Sequence, residues 1–301
     1  MRRFLNPIAK ASSLWLRLSL GLLLGLLALG SAANPAVLRV KYGELREQLL
    51  HNNYHRSMHV DSVELGDVLK GDVYAVLDHP FPTVAEALKD PADWCEILLL
   101  PFNTKYCRAA GGSEGATLQV RIGRKYDQPV EQAYRIDFAW RPVAATSQYF
   151  ESRLNAPQGP LGTKDYHITV AAMPLDAGRT FLHLSYSYGF GFAGRVAMQG
   201  YLATAGANKV GFTLTGRDSS GQPIYIGGMR GAIERNAMRY YLAIDAHLAA
   251  RRAPPEQQLE KRLQTWFDAT ERYSRQLHEM DRATYVAMKR GEYERQQAAI
   301  Q

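Results

Sequence analysis

Length, composition and charge limit the classes of protein that this chain can belong to. The chain has 301 residues, and its 36 Lys and Arg against 29 Asp and Glu give a net charge of +7. Four of these bases and no acid fall in residues 1–33, so the rest of the chain carries 32 bases against 29 acids. This near balance, without a run of like charge, excludes the clustered basic face of a nucleic-acid-binding protein.

The first 33 residues have the pattern of a signal peptide. An apolar run over 18–30 follows several bases and precedes three small residues at 31–33. The bases are Arg2, Arg3, Lys10 and Arg17. The run is shorter than the about 20 apolar residues that a membrane-spanning helix needs. We therefore expect cleavage after residue 33 and export, to the periplasm if the source is a Gram-negative bacterium; retention as an N-terminal anchor is the alternative.

Short helices and strands are predicted before residue 117. Apolar spacing favours a helix over 41–50, strands over 57–64 and 72–77, and short helices over 84–88 and 92–99. The glycine-rich residues 109–115 predict a loop.

Cys95 and Cys107 are the only cysteines. In an oxidising compartment such a pair is most simply a disulfide, and a metal or redox pair is the minor alternative.

Alternation with a period of two dominates the middle of the chain. Apolar and polar residues alternate over 118–122, 134–140, 166–170 and 182–188, and 148–154 is a further strand. These strands fit an antiparallel meander with one dry and one wet face.

Helical spacing returns in the last third of the chain. We predict a helix over 192–205, a strand over 210–214, a hairpin return at 224–226 and a long helix over 227–250. The apolar stripe of the long helix is Ile233, Ala237, Tyr241, Ile244 and Leu248. After a linker at 253–255, a charged helical tail extends to residue 301.

This order of elements resembles the START and birch-allergen-like (SRPBCC, helix-grip) superfamily. The matching pieces are 71–76 leading into 82–94, and the closing helix from Gly227; the resemblance covers about residues 60–250. It implies an α+β fold in which a curved antiparallel sheet wraps a long C-terminal helix, and an apolar cavity between them. We assign 1–33 to the signal peptide, 34–56 to a helical extension, 57–252 to the START-like domain and 253–301 to an appended helical tail.

Aromatic residues on the dry phase of the strands are the candidate lining of that cavity. Buried tyrosine hydroxyls need partners, and four tyrosines on one face suit a partly wet cavity better than a sealed core. The candidate ligand residues are Tyr134, Phe138, Trp140, Tyr166, Tyr186, Tyr188, Tyr241, Ile244 and Leu248, with the last three expected to face the sheet.

Other motifs are weaker signals of chemistry. Residues 189–194 match the pattern G-x-G-x-x-G, but no βαβ series surrounds them, so a flexible connection or a gate over the cavity is favoured over dinucleotide binding. His51, His55 and His59 are four apart, but the break at 52–53 favours surface histidines over a metal site. His167 and His183 lie on the polar phase of their strands, where cross-strand contacts are favoured over an acid/base pair.

Three functions remain open at this stage. The first is an exported protein that binds an apolar, lipid-like ligand, with no metal, no cofactor, no nucleic acid and no catalytic residue. The second is a hydrolase or cyclase that uses the same cavity with His167 or His183. The third is a non-catalytic envelope protein whose tail, with Trp266 and Phe267, contacts a partner helix or a membrane surface.

Overall fold

An eight-stranded antiparallel sheet forms the body of the protein. The computed structural model describes residues 34–204 and 206–298, so the predicted signal peptide at 1–33 lies outside the described residues. The strands are β1 (Met58–Leu65), β2 (Val68–Leu77), β3 (Thr104–Gly112), β4 (Gly115–Ile122), β5 (Tyr134–Ala145), β6 (Phe150–Gln158), β7 (Thr163–Pro174) and β8 (Thr180–Phe190). They pair in the order β1-β2-β8-β7-β6-β5-β4-β3. The predicted meander is therefore present as β4 to β8, and β1 and β2 extend it beyond β8.

Helices pack on both faces of this sheet. They are α1 (Pro35–Glu44), α2 (Arg46–Leu50), α3 (Phe81–Leu88), α4 (Pro91–Leu99), α5 (Phe192–Ala203), α6 (Gly228–Ala250), α7 (Pro255–Glu271), α8 (Ser274–Leu277) and α9 (Arg282–Ala298). Helix α6 lies on one face, and α1 lies on the other, where Tyr42 meets Phe181 at 5.0 Å. A small separate hairpin comprises β9 (Leu214–Arg217) and β10 (Pro223–Tyr225). None of the described helices is long and apolar enough to cross a membrane.

The long helix α6 packs against the dry face of the sheet, across β1, β2 and β8. Gly71 on β2 permits this close approach, because a Cβ there would lie 3.2 Å from the carbonyl oxygen of Ile233 and 3.4 Å from the Cβ of Ala237. The α+β fold and the helix-grip order predicted from the sequence are confirmed. The long helix α6 lies against the sheet, and α3 and α4 come between β2 and β3 in the chain.

Two segments differ from the prediction. Residues 109–115 are not a loop but the tight end of the β3–β4 hairpin, in which Gly111 has φ +121° and a Cβ would lie 2.6 Å from the carbonyl oxygen of Gly115. The strand β3 was not predicted because its small residues obscure the alternation of apolar and polar side chains. The strand expected over 210–214 begins only at Leu214, because the backbone N–H groups of Phe212 and Thr213 donate to the buried carboxylate of Glu234, at 2.5 and 2.9 Å.

The helices after residue 253 belong to the same core as the sheet. Leu263, Trp266 and Tyr285 are fully buried, and the indole N–H of Trp266 donates to the carbonyl oxygen of Arg239 on α6 at 3.1 Å. Contacts join residues 35–298 into one compact unit. The sequence suggested an appended tail because its charges are numerous. Several of those charges, among them Arg262, Lys289 and Glu292, are buried together with the apolar residues.

Candidate ligand cavity

A cavity of about 210 Å³ lies between the sheet, α6 and the segment that joins α4 to β3. Its aliphatic wall is formed by Leu98, Val120, Ile122 and Ile136. Its aromatic wall is formed by Phe138, Tyr166, Tyr186 and Tyr188 from the sheet and Tyr240 from α6. The sheet residues share a face because side chains two apart on a strand point the same way.

The four tyrosines of the wall form one connected cluster. Tyr166 stacks on Tyr188 with ring centroids 5.3 Å apart, and Tyr186 lies 5.7 Å from Tyr188. Tyr186 also meets Tyr240 edge-on at 5.3 Å, which joins the sheet to α6. The cluster therefore fixes one side of the cavity through ring contacts between two elements of the fold.

Three of these four tyrosines have hydroxyls without a protein partner. Tyr166 donates to Oγ1 of Thr163 at 2.7 Å. The hydroxyls of Tyr186, Tyr188 and Tyr240 have no hydrogen-bond partner among residues 34–204 and 206–298. Burial raises the pKa of Tyr186 and that of Tyr240 well above the usual range, so both stay protonated and can donate at neutral pH. Hydroxyls at the wall of a cavity can be satisfied by water or by a ligand.

A short 3-10 turn at Pro160–Gly162 and helix α5 form another part of the cavity wall. Leu161 of the turn and Met198 of α5 both line the cavity, and Leu161 is largely exposed. The G-x-G-x-x-G residues link β8 to α5, and the backbone N–H of Gly191 donates to the carbonyl oxygen of Gly162. Phe190 is buried in the core, whereas Phe192 is 84% exposed. Since β8 pairs antiparallel with both neighbours, the context of a dinucleotide-binding turn is absent from this sheet.

A cluster of cations surrounds one carboxylate at the α6 side of the cavity. Arg239, which lines the cavity, donates through Nη2 to Oε1 of Glu279 at 2.6 Å. The Nζ atoms of Lys125 and Lys209 lie 2.6 and 3.5 Å from the same carboxylate. Burial would raise the pKa of Glu279, but Arg239 and Lys125 hold it below its ordinary value. Burial and the charge of Arg239 lower the pKa of Lys125 to about 8.

The predicted ligand residues divide into two groups. Phe138, Tyr166, Tyr186 and Tyr188 line the cavity. Trp140 is buried further along β5 and does not line it, and Tyr134, at the start of that strand, is 51% exposed because no helix covers it there.

The helix residues expected in the lining face elsewhere. Tyr241, Ile244 and Leu248 are fully buried but do not line the cavity; Asn236, Arg239 and Tyr240 do. Since α7 covers the side of α6 away from the sheet, most of the helix is buried and its apolar stripe does not identify the cavity side. The side of α6 that lines the cavity could have been found from its polar residues at 236, 239 and 240, which are unusual in a buried helix.

The two strand histidines lie on the opposite face of the sheet from the cavity. Nε2 of His183 lies 2.8 Å from Oδ1 of Asp72, and its ring stacks on Tyr74 at 4.2 Å. Nδ1 of His167 lies 2.6 Å from Oδ1 of Asn155. The expectation that either could act in the cavity is therefore wrong, because the strand alternation that buries the tyrosines points the histidines outward.

The spaced histidines do not share a face. His51 follows α2, His55 lies in a loop with φ 54° and His59 is on β1. Within the described residues no group of three His, Cys, Asp or Glu side chains could hold a metal ion.

A disulfide joins the helix and strand beside the cavity. Cys95 on α4 and Cys107 on β3 are bonded, with an S–S distance of 2.04 Å. The predicted pairing is confirmed. Since Leu98 of α4 and Thr104 of β3 both line the cavity, the bond holds two parts of its wall together.

Comparison with known proteins gives fold similarity alone. No protein-family model matches the chain, and no curated protein matches its sequence. Similar solved structures include a conserved protein from Geobacillus kaustophilus (TM-score 0.36, 14% identity, 60% of this chain and 95% of that one). A norcoclaurine synthase from Thalictrum flavum has a TM-score of 0.31 and 13% identity over 49% of this chain and 89% of that one. An aromatase/cyclase from a Streptomyces species has a TM-score of 0.31 and 14% identity over 72% of this chain and 96% of that one.

The order of elements and the cavity together define a helix-grip protein with an internal cavity. The helix-grip order of elements that the sequence predicted is confirmed by the topology of the sheet and by the long helix α6.

Proposed function

We propose that this protein binds a small, largely apolar ligand in the cavity between the sheet and α6. The observation that carries the proposal is a cavity of about 210 Å³ in which the hydroxyls of Tyr186, Tyr188 and Tyr240 have no protein partner. Packed interiors leave few voids larger than a water molecule, and buried polar groups are normally paired. A ligand with an apolar body and an acceptor oxygen satisfies both requirements.

The volume limits the size of this ligand. An apolar cavity of about 150 Å³ in another protein holds benzene. The present cavity is moderately larger, so it suits a molecule with one or two rings or a short acyl chain. The lipid-like ligand expected from the sequence is therefore proposed as a small apolar molecule or a short-chain lipid and not as a whole phospholipid.

A matched pair of probes tests the proposal. Acetophenone and ethylbenzene have similar size, but only acetophenone carries an acceptor oxygen. We expect both to bind, acetophenone more tightly, in calorimetric or NMR titrations of the full chain. The Tyr186→Phe/Tyr240→Phe double variant should lose the preference for acetophenone and keep its affinity for ethylbenzene.

A blocking variant provides the control. Val120 lines the cavity, so Val120→Phe should fill it and abolish binding of both probes. Absence of binding to the unaltered protein, or full binding by Val120→Phe, would refute the proposed function. Native mass spectrometry of the protein as purified, followed by solvent extraction, would then identify any ligand carried from the cell.

Export is a second part of the proposal. It is supported by the pattern of residues 1–33 and by the Cys95–Cys107 disulfide, since such bonds persist in oxidising compartments. Fusion of residues 1–33 to alkaline phosphatase, which is active only after export, should give an active enzyme, and the mature chain should begin at Asn34. A chain that keeps Met1 and remains in the cytosol would contradict it.

The two alternatives from the sequence gain no support. The hydrolase or cyclase was expected to use His167 or His183, and both histidines lie on the face of the sheet opposite the cavity. An interaction through the tail would need its apolar face, but Trp266 and Phe267 are buried within the protein.

A further inference from the structure

We propose that the ligand of this cavity is a carboxylate, and that its anionic group binds at the Arg239 side of the cavity. The inference deepens the proposed function and rests on it, because it assigns a chemical class to the ligand. Two independent observations carry it: an excess of buried cations at one side of the cavity, and hydrogen-bond donors without acceptors in its wall.

The excess of cations is evident around Glu279. Arg239, Lys125 and Lys209 share this single carboxylate, at 2.6, 2.6 and 3.5 Å. Arg235, one turn before Arg239 on α6, is also buried, and among the described residues it donates to the carbonyl oxygen of Val210 at 3.2 Å. Three cations therefore share one anion, and a fourth lies one helical turn away.

Buried charges are stable when they are paired, and like charges in one site repel each other. Burial lowers the pKa of Arg239 and of Lys125, and a neighbouring cation, Arg235 for Arg239 and Arg239 for Lys125, lowers each further. A second carboxylate beside Arg239 would relieve both the repulsion and the cost of desolvation. Arg239 is the member of the cluster that lines the cavity, so a ligand in the cavity can supply that carboxylate.

The donors of the wall point to the same chemistry. The guanidinium of Arg239 makes one short bond, to Glu279, and one of 3.5 Å from Nη1 to Oδ1 of Asn236. Its Nε, which is enclosed by protein, has no partner in the part of the chain that the structure describes. Tyr240 follows Arg239 directly and adds an unpaired hydroxyl, and Tyr186 adds another. A carboxylate accepts up to four hydrogen bonds, which matches a site that is rich in donors.

The remainder of the cavity defines the body of this carboxylate. Phe138 and Tyr166 meet edge to face at 6.2 Å, and Leu98, Val120 and Ile136 complete an apolar wall. With a volume of about 210 Å³, the site fits an aromatic monocarboxylate or a short-chain fatty acid. The acid group would lie toward α6 and the ring or chain toward the sheet.

The test compares 3-phenylpropanoate with 3-phenylpropanol, which share a ring and a chain but differ in charge. In titrations of the full chain at pH 7 we expect the acid to bind at least about tenfold more tightly, the effect of gaining one charge-assisted hydrogen bond. Arg239→Gln should remove this preference and leave the affinity for the alcohol unchanged within about twofold. Arg239→Lys, which keeps the charge, should retain part of the preference.

Further variants keep the test decisive. If Arg239→Gln fails to fold, Lys125→Gln at the same cluster should weaken binding of the acid alone, because Lys125 is half-exposed and Glu279 keeps two other partners. Arg217→Gln, on the exposed hairpin, is the matched control and should change nothing.

The outcomes separate this inference from the proposed function. Equal binding of acid and alcohol, or a preference for the acid that survives in both Arg239→Gln and Lys125→Gln, overturns the anion site and leaves the cavity binder in place. Failure of both probes to bind the unaltered protein overturns both proposals.

Discussion

Lys105 on β3 and Glu292 on α9 form an ion pair in which both side chains are fully buried, with Nζ 2.9 Å from Oε1. Lys289 shares the carboxylate at 2.7 Å and also donates to the carbonyl oxygens of Pro101 and Thr104. Since Pro101 and Thr104 line the cavity, this pair of lysines attaches the C-terminal helix to the cavity wall.

Removal of the shared carboxylate is expected to be severe. Glu292→Ala would leave two buried lysines without their anion, and breaking a buried pair in this way costs about 3–5 kcal/mol. Urea unfolding of the variant should show that loss. Glu294→Ala, two residues on and exposed, is the control and should stay within about 0.5 kcal/mol of the unaltered protein. A similar stability for both variants would show that the buried pair is not a stabilising element.

Truncation after Arg252 should abolish the fold. The sequence suggested an appended tail, but Leu263, Trp266 and Tyr285 are fully buried in the common core. Their loss would expose the far side of α6 and leave Lys105 without Glu292. Circular dichroism and thermal melting of residues 34–252 would measure this. A soluble chain with a cooperative transition would show that the tail is a separable element.

The stability of the protein should rise with pH through the range in which Lys289 titrates. Burial and the nearby Lys105 lower its pKa to about 8, against an unfolded value of about 10.4. Between these values the unfolded state binds more protons, so this residue makes the free energy of unfolding increase with pH, by at most about 1.4 kcal/mol per pH unit. The contribution is fully present above pH 10.4 and is lost as the pH falls through 8.

Lys289→Met removes this titration and leaves Glu292 paired with Lys105. Urea unfolding from pH 7 to pH 10.5 should therefore show a larger increase in stability for the unaltered protein than for the variant. Parallel curves would mean that Lys289 has an ordinary pKa in the folded protein.

A matched pair of valine substitutions tests whether the cavity is empty space. Val120 lines the cavity, whereas Val170 lies on the same face of the sheet, fully buried and away from it. Val170→Phe should overpack the core and cost about 1–3 kcal/mol. Val120→Phe should cost clearly less because the ring can enter the cavity. Equal losses in thermal unfolding would argue against an unfilled space at Val120.

The disulfide prediction is tested by thiol titration and by substitution. The denatured, non-reduced protein should contain no free thiol. Replacing both Cys95 and Cys107 with Ala should cost about 3 kcal/mol, the value for a loop of this size in the chain-entropy model. Two free thiols in the protein isolated from its native compartment would show that the bond does not form there.

The sequence predicted the sheet side of the site well and the helix side badly. Alternation with a period of two depends only on neighbouring residues, so it placed Phe138, Tyr166, Tyr186 and Tyr188 on one dry face. It could not show where that face ends, and Tyr134 lies beyond the covering helix. On α6, apolar residues surround the helix because α7 covers its other side, so the stripe of Tyr241, Ile244 and Leu248 did not indicate the cavity.

The sequence by itself determined the α+β class, the order of most of the elements but not β3, the dry face of the strands and the pairing of its only two cysteines. These follow from local periodicity and from a count. Only the tertiary structure decided which side of α6 meets the cavity, that Arg239 and Tyr240 line it, and that the C-terminal helices enter the core. Those outcomes depend on partners as far apart as Lys105 and Glu292, and the periodicity of a segment reports that it has a buried side but not which other segment buries it.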